Sequence, residues 1–258
     1  MIAVVGCLAI VGPILTPYGP NDGNLVDSLQ LPSAKHWLGT DQLGRDVSTR
    51  IVDATRLSLS ISVCSVGMAV LFGGVMGAFA GAFGGWTEKV VMRSIDVMLA
   101  MPGILLAIAI VVWLDRGLLQ ITIAVAIANS LVIARLLHGK LLSLRSADFV
   151  SAAKATGASK LRLLMRHMLP NALTPVIIQA TLLVGTAVID VAGLCFLGLG
   201  PADPSTAEWG TMLTGAASLT RTAPYLVVFP GIAIIWTVVG FNLLGDGLRE
   251  ALDPRLRR

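Results

Sequence analysis

Charge is scarce in this chain. Asp, Glu, Lys and Arg make up 13% of its 258 residues, about half of the ~25% typical of a soluble domain. A water-facing surface needs that charge and a lipid-facing surface forbids it, so the shortage excludes an ordinary soluble domain. The three cysteines, Cys7, Cys64 and Cys195, all lie inside apolar runs. That placement argues against a disulfide framework and reads as three small core residues. His36, His138 and His167 are far apart in sequence and show no metal-ligand spacing. There is no Walker A loop, no HExxH and no GxSxG. No catalytic constellation, metal site or cofactor is therefore expected in the chain.

What the chain has is apolar surface. Hydrophobic residues make up 55% of it, and the mean hydropathy is +0.82. They come in continuous runs, not in the alternation of a membrane β-barrel, so the fold class is an all-α membrane protein. About 20 apolar residues carry a helix across the hydrocarbon core. About six transmembrane helices are expected, at Ile2–Leu15, Leu57–Phe83, Val97–Leu114, Leu118–Leu137, Leu173–Leu199 and Tyr225–Leu244. The first run is short and lacks the basic flank and cleavage site of a signal peptide. It is expected to be the remainder of a first span whose cytoplasmic start is missing or misassigned. A division follows into a first span with an outward segment over 1–56 and a transmembrane domain over 57–258.

The net charge of +4 is spread over short loops, which argues against nucleic acid as a partner. Its placement gives orientation. Lys89, Arg93, the basic residues from Arg135 to Arg166, Arg249, Arg255, Arg257 and Arg258 fall on one side, which is then cytoplasmic. On the other side, Lys35, Arg45, Arg50, Arg56, Arg116 and Arg221 are diluted by acidic residues. Both termini are expected inside, with 16–56 and 200–224 facing outward. Trp37, Trp86, Trp113 and Trp209 fall near span ends, where indole rings favour the interface. Gly73, Gly77 and Gly81 line one face of the second span and allow close approach of another backbone, either within this chain or from a partner subunit. Pro175 opens the fifth span, Pro224 and Pro230 flank the start of the sixth, and Asn242 and Asp246 are expected to anchor its end.

The most polar interruption is the loop over 138–172, above all the stretch from Asp148 to Asn171. Asp148 is a candidate N-cap. Phe149, Ala152, Ala153 and Thr156 then share one helix face, an aromatic knob beside a floor of small side chains. Gly157 suits a left-handed cap that ends this helix. Ser159 can start a second helix with Leu161, Leu164, Met165 and Met168 on its apolar side, ended by Pro170. Such a loop either docks a partner or lies as an amphipathic element on the membrane surface.

The pattern Ser151-Ala152-Ala153, then Gly157, then Leu169-Pro170 resembles the EAA loop of binding-protein-dependent ABC importer permeases, with Ser151 in place of the usual Glu and His167 in place of the usual Ile. The stretches His36 to Asp46, Met92 to Pro102, Phe196 to Gly200, Glu208 to Leu213 and Phe241 to Leu256 are similar to the dipeptide, oligopeptide and nickel branch, and to its C-type subunit. The resemblance implies the type I ABC importer permease fold with a cytoplasmic coupling helix. It implies that Phe149, Ser151, Ala152, Ala153, Thr156, Gly157, Leu169 and Pro170 form the contact with an ATPase. It further implies a homologous B-type permease, two ATPase subunits that hold ATP and Mg, and an extracytoplasmic substrate-binding protein that delivers peptide, or else nickel, haem or glutathione.

Asp190 is the acid expected deepest in a span. A carboxylate there is costly and marks a functional site by default, either lining the path or pinning the fifth span to a neighbour. In the outward segment Gly39 and Gly44 are turn residues, and Gly39, Asp41, Gly44, Arg45 and Asp46 either fold against the partner permease or meet the binding protein. The rival classes are an ion-gradient-driven secondary transporter, which tends to show internal repeats, a membrane anchor of a respiratory enzyme, and a membrane enzyme. No clear repeat, no central histidine and no paired catalytic groups favour them.

Overall fold

A computed structural model describes residues 1–203 and 205–252, the side chains of Pro13, Leu15 and Phe83 excepted. Arg255, Arg257 and Arg258, and the end of the tail motif from Asp253 to Leu256, lie outside the described residues. The chain is helical: α1 (Ile2–Leu15), α2 (Val47–Phe83), α3 (Gly85–Leu99), α4 (Gly103–Leu114), α5 (Leu118–Leu144), α6 (Asp148–Ala155), α7 (Lys160–Arg162), a π-helical turn (Leu163–Met168), α8 (Leu169–Leu194), α9 (Trp209–Ala216) and α10 (Tyr225–Leu252). Among the described residues the only β pairing is two isolated bridges, Gly23 with Arg45 and Thr40 with Asp46.

Among the described residues four helical runs are long and apolar enough to cross a membrane: Val47–Ala82, Leu118–Leu144, Lys160–Leu199 and Tyr225–Leu252. The bent pair α3 and α4 makes a fifth if counted as one span, and Ile2–Gly12 is a shorter apolar helix. The expected third span, Val97–Leu114, is corrected. Pro102 disfavours helical backbone at Met101 before it, and the chain turns by 95° between α3 and α4. Pro175 and Pro230 lie inside α8 and α10 rather than at their starts. Asn242 and Asp246 likewise lie within α10, which continues to Leu252. At 37 residues α2 is about 55 Å long, well beyond the ~30 Å hydrocarbon core, so its polar first turns extend the span.

Two compact units divide the chain. The first comprises residues 1–63, 111–122 and 184–242. Its core includes Ala54, Val188, Ala207 and Trp209. Trp209 is 1% exposed and is therefore no interfacial residue, unlike Trp37, Trp86 and Trp113, which are open. The second unit comprises 64–110, 123–183 and the chain from Leu243 onward, with Ile95, Leu131 and Ala134 at a core that also takes in Met76, Val91 and Met92. In it, Gly73, Gly77 and Gly81 pack on Ser130, Ala134 and Leu141 of α5, so the small-residue stripe serves packing within the chain. Cys195 is buried, whereas Cys7 and Cys64 are exposed on their helices and are not core residues.

Candidate functional site

The polar loop belongs wholly to the second unit. Ala147, with extended backbone, takes the N-cap of α6, and Asp148 stands in the first turn. Asp148 is thus not the cap. Its charge still favours the positive end of the helix. Gly157 has φ +83. Its N–H donates to the Lys154 carbonyl at 3.0 Å and that of Ala158 to the Ala153 carbonyl at 3.1 Å, the paired bonds of a Schellman ending. Ser159 Oγ then accepts from the Arg162 N–H at 3.3 Å and caps α7.

Pro170 does not end the second helix, which runs on from Lys160 to Leu199. The reason is the π turn at Leu163–Met168, in which the Leu169 N–H donates to the Leu164 carbonyl five residues back. The wider turn shifts the hydrogen-bond register just before Pro170, which has no N–H to give. The same shift alters the buried side: Leu163, Leu164 and Met168 face inward, whereas Leu161 and Met165 are exposed.

The α6 helix has two faces. Val150 is 0% exposed and fixes the inner one. Phe149, Ser151, Ala152, Thr156 and Gly157 are exposed, and Ala153 is half-buried. Leu169 is half-buried and Pro170 exposed at the start of α8. Behind α6, Arg145 donates from Nε to the Gly81 carbonyl at 3.0 Å, and a second bond runs from its guanidinium to the same oxygen. A cation there satisfies an orphan carbonyl at the end of α2. Glu88 of α3 pairs with Arg145 at 3.6 Å and with His138 Nε2 at 2.8 Å. The ends of α2, α3 and α5 are therefore tied together beside α6. Sequence reasoning found the outer face but neither Val150 nor this network, since no spacing signal joins residues 81, 88, 138 and 145.

The outward segment belongs to the first unit and is folded tightly. Gly39 and Gly44 have φ +80 and +72, as their turn role requires. Asp41 Oδ1 accepts from the N–H groups of Leu43 at 2.9 Å and Arg45 at 3.0 Å, and Arg45 Nε donates to Asp41 Oδ2 at 2.7 Å. Asp46 is 2% exposed. Its carboxylate caps α2 by accepting from the Thr49 N–H at 2.8 Å and meets His36 Nδ1 at 3.0 Å. Burial alone would raise the Asp46 pKa, but hydrogen bonds from Ser48, Thr49 and His36 outweigh it and hold the carboxyl below the usual range. The Tyr225 hydroxyl donates to the carbonyls of Gln30 at 3.1 Å and Thr40 at 2.9 Å, which fastens the segment to α10. Asp190, in α8, is half-buried, and its carboxylate makes no hydrogen bond or ion pair among the described residues.

Glu208 escaped sequence reasoning. It is 0% exposed, accepts from Ser58 Oγ at 3.1 Å and caps α9 through the Thr211 N–H at 3.0 Å. Burial pushes its carboxyl above the ordinary 4.5, against the opposing hydrogen bonds from Gly210, Thr211, Cys195 and Ser58. A raised folded value means that the proton is held more tightly in the folded state, so this stability is fullest below about pH 4.5 and is lost as pH rises through the raised value. Glu208→Ala is expected to cost about 1–3 kcal/mol in thermal unfolding in detergent. Glu208→Gln is expected to remove the decline in stability with rising pH. An Ala variant as stable as the wild type would show that the buried carboxyl is no pin.

Three comparisons bear on this arrangement. The family model described as "Binding-protein-dependent transport system inner membrane component" matches residues 73–258. The chain is 47% identical over 250 residues to the dipeptide transport system permease protein DppC of Alkalihalophilus pseudofirmus, covering 97% of this chain and 82% of that one. It is 41% identical over 251 residues to the glutathione transport system permease protein GsiD of Pectobacterium atrosepticum, covering 97% and 83%. Among solved structures, the MetNI methionine ABC transporter in an inward-facing conformation superposes with a TM-score of 0.66 at 17% identity, over 79% of this chain and 96% of that one. An amino acid ABC transporter crystallised with histidines gives 0.57 at 14% identity, over 79% and 94%. At such identities the structures speak for the fold.

Proposed function

Because the chain belongs to the family of binding-protein-dependent transport system inner membrane components, and is the membrane permease of an ABC importer, we propose that it imports peptides and takes its drive from ATPase subunits seated on α6. The observation that carries the cargo is the 47% identity to a dipeptide permease over 97% of the chain. Glutathione, itself a tripeptide, is the second reading, favoured by the relatives named for it.

On this reading the chain pairs with a homologous B-type permease in a bacterial cytoplasmic membrane, with both termini inside. ATP and Mg are held by two partner ATPases, and this chain contributes no catalytic group or cofactor of its own. The ATPases grip Phe149, Ser151, Ala152, Ala153, Thr156 and Gly157, with Leu169 and Pro170 at the base of the next helix. ATP binding shifts a two-state equilibrium through contacts that differ between the states. What makes α6 a lever is its inner face. Val150 is fully buried, and Arg145 ties the end of α2 to α3 through the Gly81 carbonyl and Glu88, so a push on α6 moves those helices with it.

Asp190 faces the path on this reading and meets the cationic amino terminus of the cargo. Its lack of a partner among the described residues supports that role. Asp190→Asn is expected to lower transport at least tenfold with assembly intact; loss of the complex instead would assign the acid to packing. In the outward segment Gly39, Gly44 and Asp46 are buried and hold the turn in shape, while Asp41 and Arg45 border the exposed tip at Gln42 and Leu43 that is offered to the binding protein.

The test is co-purification of the tagged chain followed by ATPase assay with peptide-loaded binding protein. Recovery of a second permease and two ATPases, with hydrolysis stimulated by peptide, is the expected result. Recovery of the chain alone, with transport that follows an ion gradient, would replace this reading with a secondary transporter.

A further inference from the structure

Beside the inner face of α6 the second unit contains a cavity of about 290 Å³. Its rim carries Arg145, Lys154 and Lys160, and its floor is apolar, with Val150, Leu164 and Met168. The charge in it is unbalanced. Glu88, the acid beside Arg145, is already held by Arg145 and His138. Lys154 and Lys160 form no ion pair among the described residues.

From this geometry we infer that the cavity is a binding site for the headgroup of an anionic phospholipid. The two non-bridging oxygens of a phosphate diester can accept from both free ammonium groups while its single negative charge offsets one of theirs, and basic pockets among transmembrane helices are suited to such headgroups. The apolar floor selects an amphiphile over a soluble phosphate, which gains nothing from Val150, Leu164 and Met168. The neighbouring helix supplies independent support. α3 starts at the corner that contributes Gly84 to the cavity wall, and it presents Trp86, 81% exposed, and Val90, 55% exposed, on one open face. Lys89 and Arg93 are exposed on the same helix. An open indole beside basic residues is the composition of a membrane interface, so the helix that starts at this wall of the cavity is suited to lipid. Such a lipid sits between Val150 of α6 and the Gly81 and Arg145 wall, and adds its own contacts to the link through which α6 pushes on α2 and α3. This site goes beyond the importer reading and does not depend on the cargo.

The chain, purified in detergent with the partners that accompany it, is incubated with equimolar phosphatidylglycerol and phosphatidylcholine, and retained lipid is counted by native mass spectrometry. The wild type is expected to retain the anionic lipid preferentially. Lys154→Gln is expected to weaken that preference about fivefold, and the double variant Lys154→Gln/Lys160→Gln about 25-fold, since each basic residue near an anionic surface contributes roughly a factor of five. Lys154→Arg, which keeps the charge, and Arg116→Gln, exposed and outside the cavity, should leave it unchanged. Equal retention by the double variant overturns the proposal. So does displacement of the lipid by excess inorganic phosphate, which would make the ligand a soluble anion. A double variant that loses ATPase but keeps its lipid would assign the lysines to a protein interface and overturn it too.

Discussion

Gly77→Leu is expected to remove nearly all folded protein from the membrane. A Cβ at Gly77 would stand 2.6 Å from the Ala134 carbonyl oxygen and 3.1 Å from its Cα. Both are backbone atoms of α5, so no rotamer change relieves the clash. One turn earlier, Gly73 meets the Ser130 backbone, and one turn later, Gly81 meets the Leu141 side chain. The contacts form a single seam, and forcing it open at its middle separates α2 from Ile133, Ala134 and Leu141, all buried. Overpacking typically costs about 1–3 kcal/mol and occasionally more; a four-carbon side chain set against backbone that cannot give falls above that range, on the scale of the about 5–15 kcal/mol by which a domain is stable. Gly74 has nothing within 4 Å of its would-be Cβ. Gly74→Ala is therefore expected at or slightly above wild-type stability, because Ala favours the helix by about 1 kcal/mol. Membrane yield and thermal unfolding in detergent read both variants. Wild-type yield and melting temperature for Gly77→Leu would refute the seam.

The second large effect lies on α6. Ala152→Trp is expected to abolish ATPase-driven transport while leaving the chain folded. Ala152 is exposed and shares its face with Phe149 and Thr156, so an indole there fills the close-approach surface proposed for the ATPase. It touches no internal contact, because the helix is anchored on its other side by Val150. Ala153 makes a poorer probe, since it is half-buried and a Trp there disturbs the packing of α6 as well. Co-purification of the ATPases is expected to fall at least tenfold, with membrane yield and melting temperature unchanged. ATPase recovered in full would refute the docking face. A drop in melting temperature would show that Ala152 packs internally.

These two sites show how differently the sequence and the fold contribute. The membrane class follows from composition alone, because too little charge is present to cover a soluble surface. The 3.6-residue face of α6 was legible only in part, since Phe149, Ala152 and Thr156 are exposed but Ala153 is half-buried; the end of that helix was legible from Gly157, whose φ of +83 few other residues adopt without strain. Gly39 and Gly44 were legible as turns for the same reason. The motifs of the loop and tail pointed to the family because they extend in register over most of the chain.

Other features depend on which segments meet in space. The glycine stripe at Gly73, Gly77 and Gly81 also left room for a partner's helix, and only the position of α5 against it decided for internal packing. The helix that passes Pro170 rests on a π turn, a backbone register that side-chain periodicity does not report, and that register moved Leu161 and Met165 to the surface. Trp209 looked interfacial by its place along the chain, but it is buried beside a Glu208 held by Ser58, 150 residues distant. Local properties, namely hydropathy, period, cap and turn chemistry, are written residue by residue and can be read from the chain. Pairings between distant residues depend on how the helices are laid against each other, and that arrangement exists only once the chain has folded.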